Sequence, residues 1–119
     1  MKGKLTTHVL DVSIGRPASG VLVELVHVGR NAENTVITSS YTNEDGRLNQ
    51  PLLEGEHLKK GIYELLFYVG DYYRSRGAAT EHPSFLDCVP VRFGISEPDS
   101  HYHVPLLISP GGYSTYRGS

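Results

Sequence analysis

The run Ile62-Tyr-Glu-Leu-Leu-Phe-Tyr-Val69 is the strongest β-strand signal in the chain, and it is one of many. Leu5–Val12 is rich in Thr, Val and Leu and ends at the turn signal Ile14-Gly-Arg-Pro17. Val21–Val28 is a β-branched run between Gly20 and Gly29 and reads as a largely buried strand. Thr35–Thr42 reads as a half-exposed strand, and Gln50–Leu53 as a short edge strand. Ser84–Ile95, His101–Ile108 and Tyr113–Tyr116 complete the series. Pro90 demotes its run to an edge or a bulge, and Pro105 predicts an interruption of pairing in its own. Asn43-Glu-Asp-Gly46 is a tight turn with a hairpin signal. Only Asp71–Thr80 tolerates helix, with Asp71 as N-cap and Gly77 as the stop. Seven or eight short strands, one short helix and frequent turns predict an all-β, two-sheet antiparallel sandwich rather than an α/β fold.

The length of 119 residues suits a single domain over residues 1–119, with no repeat, low-complexity segment or linker inside it. A chain of this size folds without a disulfide or metal. The single cysteine, Cys88, cannot form an internal bridge, which agrees with a reducing compartment; its apolar run makes it a buried, inert thiol. Net charge is −2 with no basic run, so nucleic acid and anionic membrane are poor partners. No apolar segment approaches the roughly 18 residues of a membrane helix. The N-terminus lacks the apolar core of a signal peptide, and Arg-Gly-Ser is not a peroxisomal address. The expectation is a soluble cytoplasmic protein.

Several polar residues are candidates for chemistry. His101 and His103 are two apart, so on a strand they share a face, with Tyr102 on the other. That spacing is a common half of a metal site, but more often it is just two polar residues on an exposed strand face. No carboxylate or cysteine nearby has companion spacing. His8 shares a face with Thr6 and Leu10, while Leu5, Thr7 and Val9 share the other. Alone, His8 reads as a solvated or hydrogen-bonded strand histidine, and Arg47 after its turn as a solvated arginine. The Tyr72-Tyr-Arg-Ser-Arg76 cluster reads as a helix packing its tyrosines on a sheet. There is no nucleophile elbow, phosphate-cradling loop or His-Glu-x-x-His. Aromatic and β-branched residues continue almost to the carboxylate, so the last residues are expected to be packed rather than frayed.

The combination is more specific than any member. Leu5-Thr-Thr-His-Val-Leu-Asp11, Gly15-Arg-Pro-Ala18, Asn43-Glu-Asp-Gly-Arg47, His101-Tyr-His-Val-Pro-Leu-Leu-Ile-Ser-Pro110 and Tyr116-Arg-Gly-Ser119 together resemble the 5-hydroxyisourate hydrolase family, the transthyretin-like enzymes of urate breakdown. The resemblance covers essentially the whole chain. It implies the transthyretin-like sandwich: about eight strands, one short helix, and a homotetramer (dimer of dimers) with sites at subunit interfaces. It implies hydrolysis of 5-hydroxyisourate to 2-oxo-4-hydroxy-4-carboxy-5-ureidoimidazoline, without metal or organic cofactor. It implies catalytic roles for His8, Arg47, His103 and Ser119. It further implies that Tyr116, Arg117 and Gly118 join His8, Arg47 and Ser119 in holding substrate.

The residue types suit that chemistry. Water needs a general base, and histidine titrates near neutral pH. A carbonyl under attack develops negative charge that a guanidinium stabilises. The alternative is a transthyretin-type carrier of aromatic ligands, which would favour apolar walls over His8, Arg47 and His103. A third reading, a sandwich that merely assembles by its edges, leaves the Tyr-Arg-Gly-Ser end unexplained. The hydrolase reading expects a C-terminal tag to cost activity before stability.

Overall fold

The computed structural model describes residues 2–78 and 81–119. Those residues form nine strands and one α-helix. In chain order they are β1 (Lys4–Asp11), β2 (Arg16–Pro17), β3 (Leu22–Val28), β4 (Asn34–Tyr41), β5 (Leu53–Glu54), β6 (Gly61–Phe67), α1 (Val69–Ser75), β7 (Val89–Ile95), β8 (Tyr102–Ser109) and β9 (Gly112–Thr115). One sheet runs β2-β1-β8-β9, with β5 also on β1; the second runs β4-β3-β6-β7. The two-sheet sandwich with one short helix is therefore present. No helix among the described residues is long and apolar enough to cross a membrane.

Period-two alternation builds the core. In β1, Leu5, Thr7, Val9 and Asp11 are buried, while Thr6, His8 and Leu10 are only partly covered. Val9, Leu106 and Ile108 from one sheet meet Val23, Leu25 and Phe67 from the other, all fully buried. Each such side chain contributes about 1.5–3 kcal/mol by leaving water. Among the described residues, Pro90 lies on β7, which pairs only with β6 and so forms a sheet edge, where proline is tolerated. Gly77 follows the last helical turn at φ +69°, a conformation that favours glycine.

Five local expectations change. First, the sandwich is not wholly antiparallel: β1 pairs with β8 in parallel. A parallel pair needs a long connection, and residues 12–101 supply one. Second, Pro105 does not interrupt this pairing and sits opposite His8 within it. The Pro105 carbonyl accepts from Thr115 Oγ1 at 2.7 Å, so its side of the backbone, where an N–H is missing, faces the chain end and not β1. Third, the Asn43–Gly46 turn closes no hairpin; it carries the chain from β4 across to β1 of the other sheet. Fourth, Tyr68 is the N-cap of α1, and Asp71 lies in its first turn, ion-paired with Arg74. Ala79 and Thr80, also expected in this stretch, lie outside the described residues. Fifth, strand begins only at Val89. The Gly70 N–H donates to Asp87 O at 2.9 Å and Arg74 donates to Ser84 Oγ at 3.0 Å, tying the preceding segment to the helix. Cys88 is consequently half-buried, outside the strand, with its thiol pushed up by burial and neighbouring carboxylates.

Candidate active site

The parallel register places Thr6 opposite His103 and His8 opposite Pro105. Tyr102 and Val104 are buried, so the alternation turns His103 to the outer face, beside Thr6 and His8. Thr6 Oγ1 lies 2.9 Å from His103 Nδ1.

Arg47 reaches this face through its turn. Asn43 Oδ1 accepts the N–H groups of Asp45 at 2.9 Å and Arg47 at 3.2 Å, an Asx-type closure. Gly46 has φ +74°, and its carbonyl accepts the Val9 N–H at 2.8 Å. A Cβ at Gly46 would stand 2.3 Å from Val9 O, so only glycine permits this approach. The next residue, Arg47, is then bridged to His8. Arg47, Thr6, Asn49 and Gln50 line a depression of about 160 Å³.

The chain end supplies the fourth side. The Gly118 N–H donates to His103 O at 2.8 Å. A Cβ on Gly118 would come within 2.5 Å of His103 Cδ2, so the bare backbone rests against the imidazole. Strand β1, the turn, β8 and the terminal segment thus converge on one histidine.

His103 is held below its ordinary value. Burial is the main cause, and the positive fields of Arg47 and His8 add to it; a hydrogen bond to the Thr6 backbone opposes them without offsetting them. A neutral imidazole keeps a lone pair, which is what a general base needs. Among the described residues, no group of three or more His, Cys, Asp or Glu side chains gathers as a metal ion would require.

The remaining sequence candidates lie elsewhere. The Arg117 guanidinium covers the Tyr102 ring at 4.3 Å, and Tyr102 points inward, opposite to His103. Tyr116 and Arg117 line a separate cleft of about 250 Å³ with Val91, Phe93 and Val104. Within one chain, then, His8, Arg47, His103 and Gly118 come together, and Tyr116 and Arg117 do not join them. Ser119 is exposed, one residue past Gly118. His101 is exposed, and its carbonyl accepts from Arg117 at 3.4 Å. Two residues escaped the sequence reading. Thr6 was on the right face, but its partner depends on the β1–β8 register. Asp11 is fully buried and accepts from Ser13, Tyr72 and Tyr73; one buried-phase position in an alternating strand was its only signal.

Fold and cluster together define a transthyretin-type sandwich with a polar, titratable outer face. The family model described as "HIUase/Transthyretin family" matches residues 5–118, and the chain belongs to that family. The 5-hydroxyisourate hydrolase of Halalkalibacterium halodurans is 53% identical over 100% of both chains. A solved (S)-allantoin synthase superposes with TM-score 0.92 at 45% identity; it covers 99% of this chain, which spans only 44% of that protein. Sea bream transthyretin, solved in complex with thyroxine, superposes with TM-score 0.85 at 25% identity, covering 97% of this chain and 94% of its own.

Proposed function

We propose that this chain is a 5-hydroxyisourate hydrolase of urate catabolism, a cyclic amidase acting as one domain over residues 1–119. The observation that carries the reading is the meeting of His103, His8 and Arg47 on one sheet face, with His103 held neutral. Full-length similarity to a protein of that name supports it.

In the reaction, His103 takes a proton from water as the oxygen attacks a ring carbonyl. Arg47 stabilises the negative charge that develops on the carbonyl oxygen, and its planar fork suits a flat, carbonyl-rich substrate. His8 orients the water or the ring. The C–N bond then breaks, and the nitrogen takes the proton back from the imidazolium. The net change is one water added, giving an open ring with a carboxylic acid that then releases its proton to solvent as a carboxylate. Ser119 follows the Gly118–His103 contact, which supports a role for the chain end beside the base.

Tyr116 and Arg117 do not reach this cluster within one chain. Their assignment to substrate belongs with a homotetramer whose sites lie between subunits, an assembly favoured by the half-exposed catalytic face. The lone Cys88 favours a reducing cytoplasm. The test is to mix the protein with freshly generated 5-hydroxyisourate and follow the ultraviolet decay. Acceleration over the spontaneous rate is expected. No acceleration, with tight thyroxine binding, would establish the carrier reading in its place.

A further inference from the structure

We propose that Thr6 is the positioning residue of the catalytic base: its hydroxyl receives the Nδ1–H of His103 and so directs the basic lone pair to Nε2. The inference rests on the hydrolase reading for its kinetic consequences, and on geometry alone for the hydrogen bond.

Three observations lead there. The parallel β1–β8 register sets Thr6 directly across from His103, and both project from the same face. The Oγ1–Nδ1 distance of 2.9 Å is a full hydrogen bond. On another side of the ring, Gly118 packs so closely that a single added carbon would strike Cδ2. The imidazole is therefore fixed in rotation, and one nitrogen is committed to Thr6.

The chemical identity of this partner matters. The nitrogen that a histidine leaves basic is decided by the bond its other nitrogen makes. A carboxylate there would orient the ring and also hold it protonated. A threonine hydroxyl orients it without a charge. The charged and titratable groups around His103 are His8 on β1 and Arg47 after the turn, with His101 two residues upstream on its own segment. Arg47 and His8 push His103 toward the neutral form, and burial does so more strongly. A neutral partner at Nδ1 leaves that preference in place. When Nε2 takes a proton from water, the Nδ1–H bond to Thr6 persists, so the ring need not turn during the reaction. The neighbouring Thr7 makes the contrast: its hydroxyl is buried and donates to Val104 O at 2.7 Å, a purely structural bond.

The experiment compares wild type with Thr6→Val, which keeps the shape and removes the hydroxyl, and with Thr6→Ser, which keeps the hydroxyl. Nitrogen-15 spectra of His103 at pH 8 report the tautomer without any substrate. Wild type and Thr6→Ser are expected to show protonated Nδ1, and Thr6→Val a mixture or the opposite tautomer. In kinetics, Thr6→Val should lose roughly 10–100-fold in kcat with KM changed less than about 2-fold, and Thr6→Ser should recover most of it. Thermal melting checks that all three fold. A wild-type His103 protonated at Nε2, or an unchanged tautomer and kcat in Thr6→Val, overturns the proposal. If the wild type shows no turnover, the hydrolase reading fails by itself, and the tautomer still decides the role of Thr6.

Discussion

Strand β1 carries a polar cluster on each face, and the two differ in one respect: whether their hydrogen-bonding capacity is saturated. On the inner face, Asp11 is fully buried. Its carboxylate accepts from Tyr72 and Tyr73 at 2.8 Å each and from the Ser13 hydroxyl and N–H at 2.6 and 3.1 Å. Burial raises its pKa, but these bonds together outweigh burial and hold it below the ordinary value. The same arrangement pushes Tyr72 up to about 12, chiefly through burial and then through Asp11, so the phenols remain donors. Nothing is left over for a ligand, and the cluster acts as a strap from β1 to α1. On the outer face, His8, Arg47 and His103 are half-buried or exposed, and they keep spare donors and a spare lone pair. Among the described residues, no buried side-chain nitrogen or oxygen lacks a partner. The unsatisfied capacity is therefore all at the surface, where a substrate can use it.

Mutations should separate the two faces. His103→Ala should lower kcat/KM by roughly 10³-fold, about 4 kcal/mol in the barrier, while melting within a few degrees of wild type. A large drop in Tm would mean that the outer cluster also holds the fold. Asp11→Ala should do the reverse. It strands two buried tyrosine hydroxyls and should cost about 3 kcal/mol of stability in urea unfolding, with kcat per folded molecule unchanged. Arg47→Leu should lower kcat by about 10²-fold if the guanidinium meets developing charge. A rise in KM alone would reassign it to binding.

The gentlest probe is pH, because the clusters titrate in different windows. His103 sits below its unfolded value of 6.5, so the unfolded chain binds that proton first. Activity should be full above pH 6.5 and fall below it with an apparent pKa under 6.5, accompanied by a mild loss of stability. Asp11 sits below 3.8, so its stabilisation is present above that value and disappears as pH falls through the lowered one. Rate profiles and circular dichroism on one pH series should therefore show activity lost well before fold. Simultaneous loss would merge the two clusters into one.

Much of this was legible from residue order. The alternation in β1, the edge position of Pro90, the stop at Gly77 and the inward tyrosines of α1 all follow from local rules. The nomination of His8, Arg47 and His103 rests instead on the resemblance of the whole set of motifs to a known family, since none of the three stands out alone. Hairpin and antiparallel expectations for the Asn43–Gly46 turn and for β1 failed for a common reason. A turn signal states that the chain reverses, not which sheet receives it.

By itself, then, the sequence determined which residues share a face, because side-chain parity is a property of one strand. Only the tertiary structure decided which faces meet. The partner of Thr6, the burial of Asp11, the contact of Gly118 with His103 and the departure of Tyr116 and Arg117 all depend on register between segments far apart in the chain. That register is set by total burial across both sheets, a sum that no short stretch of residues contains.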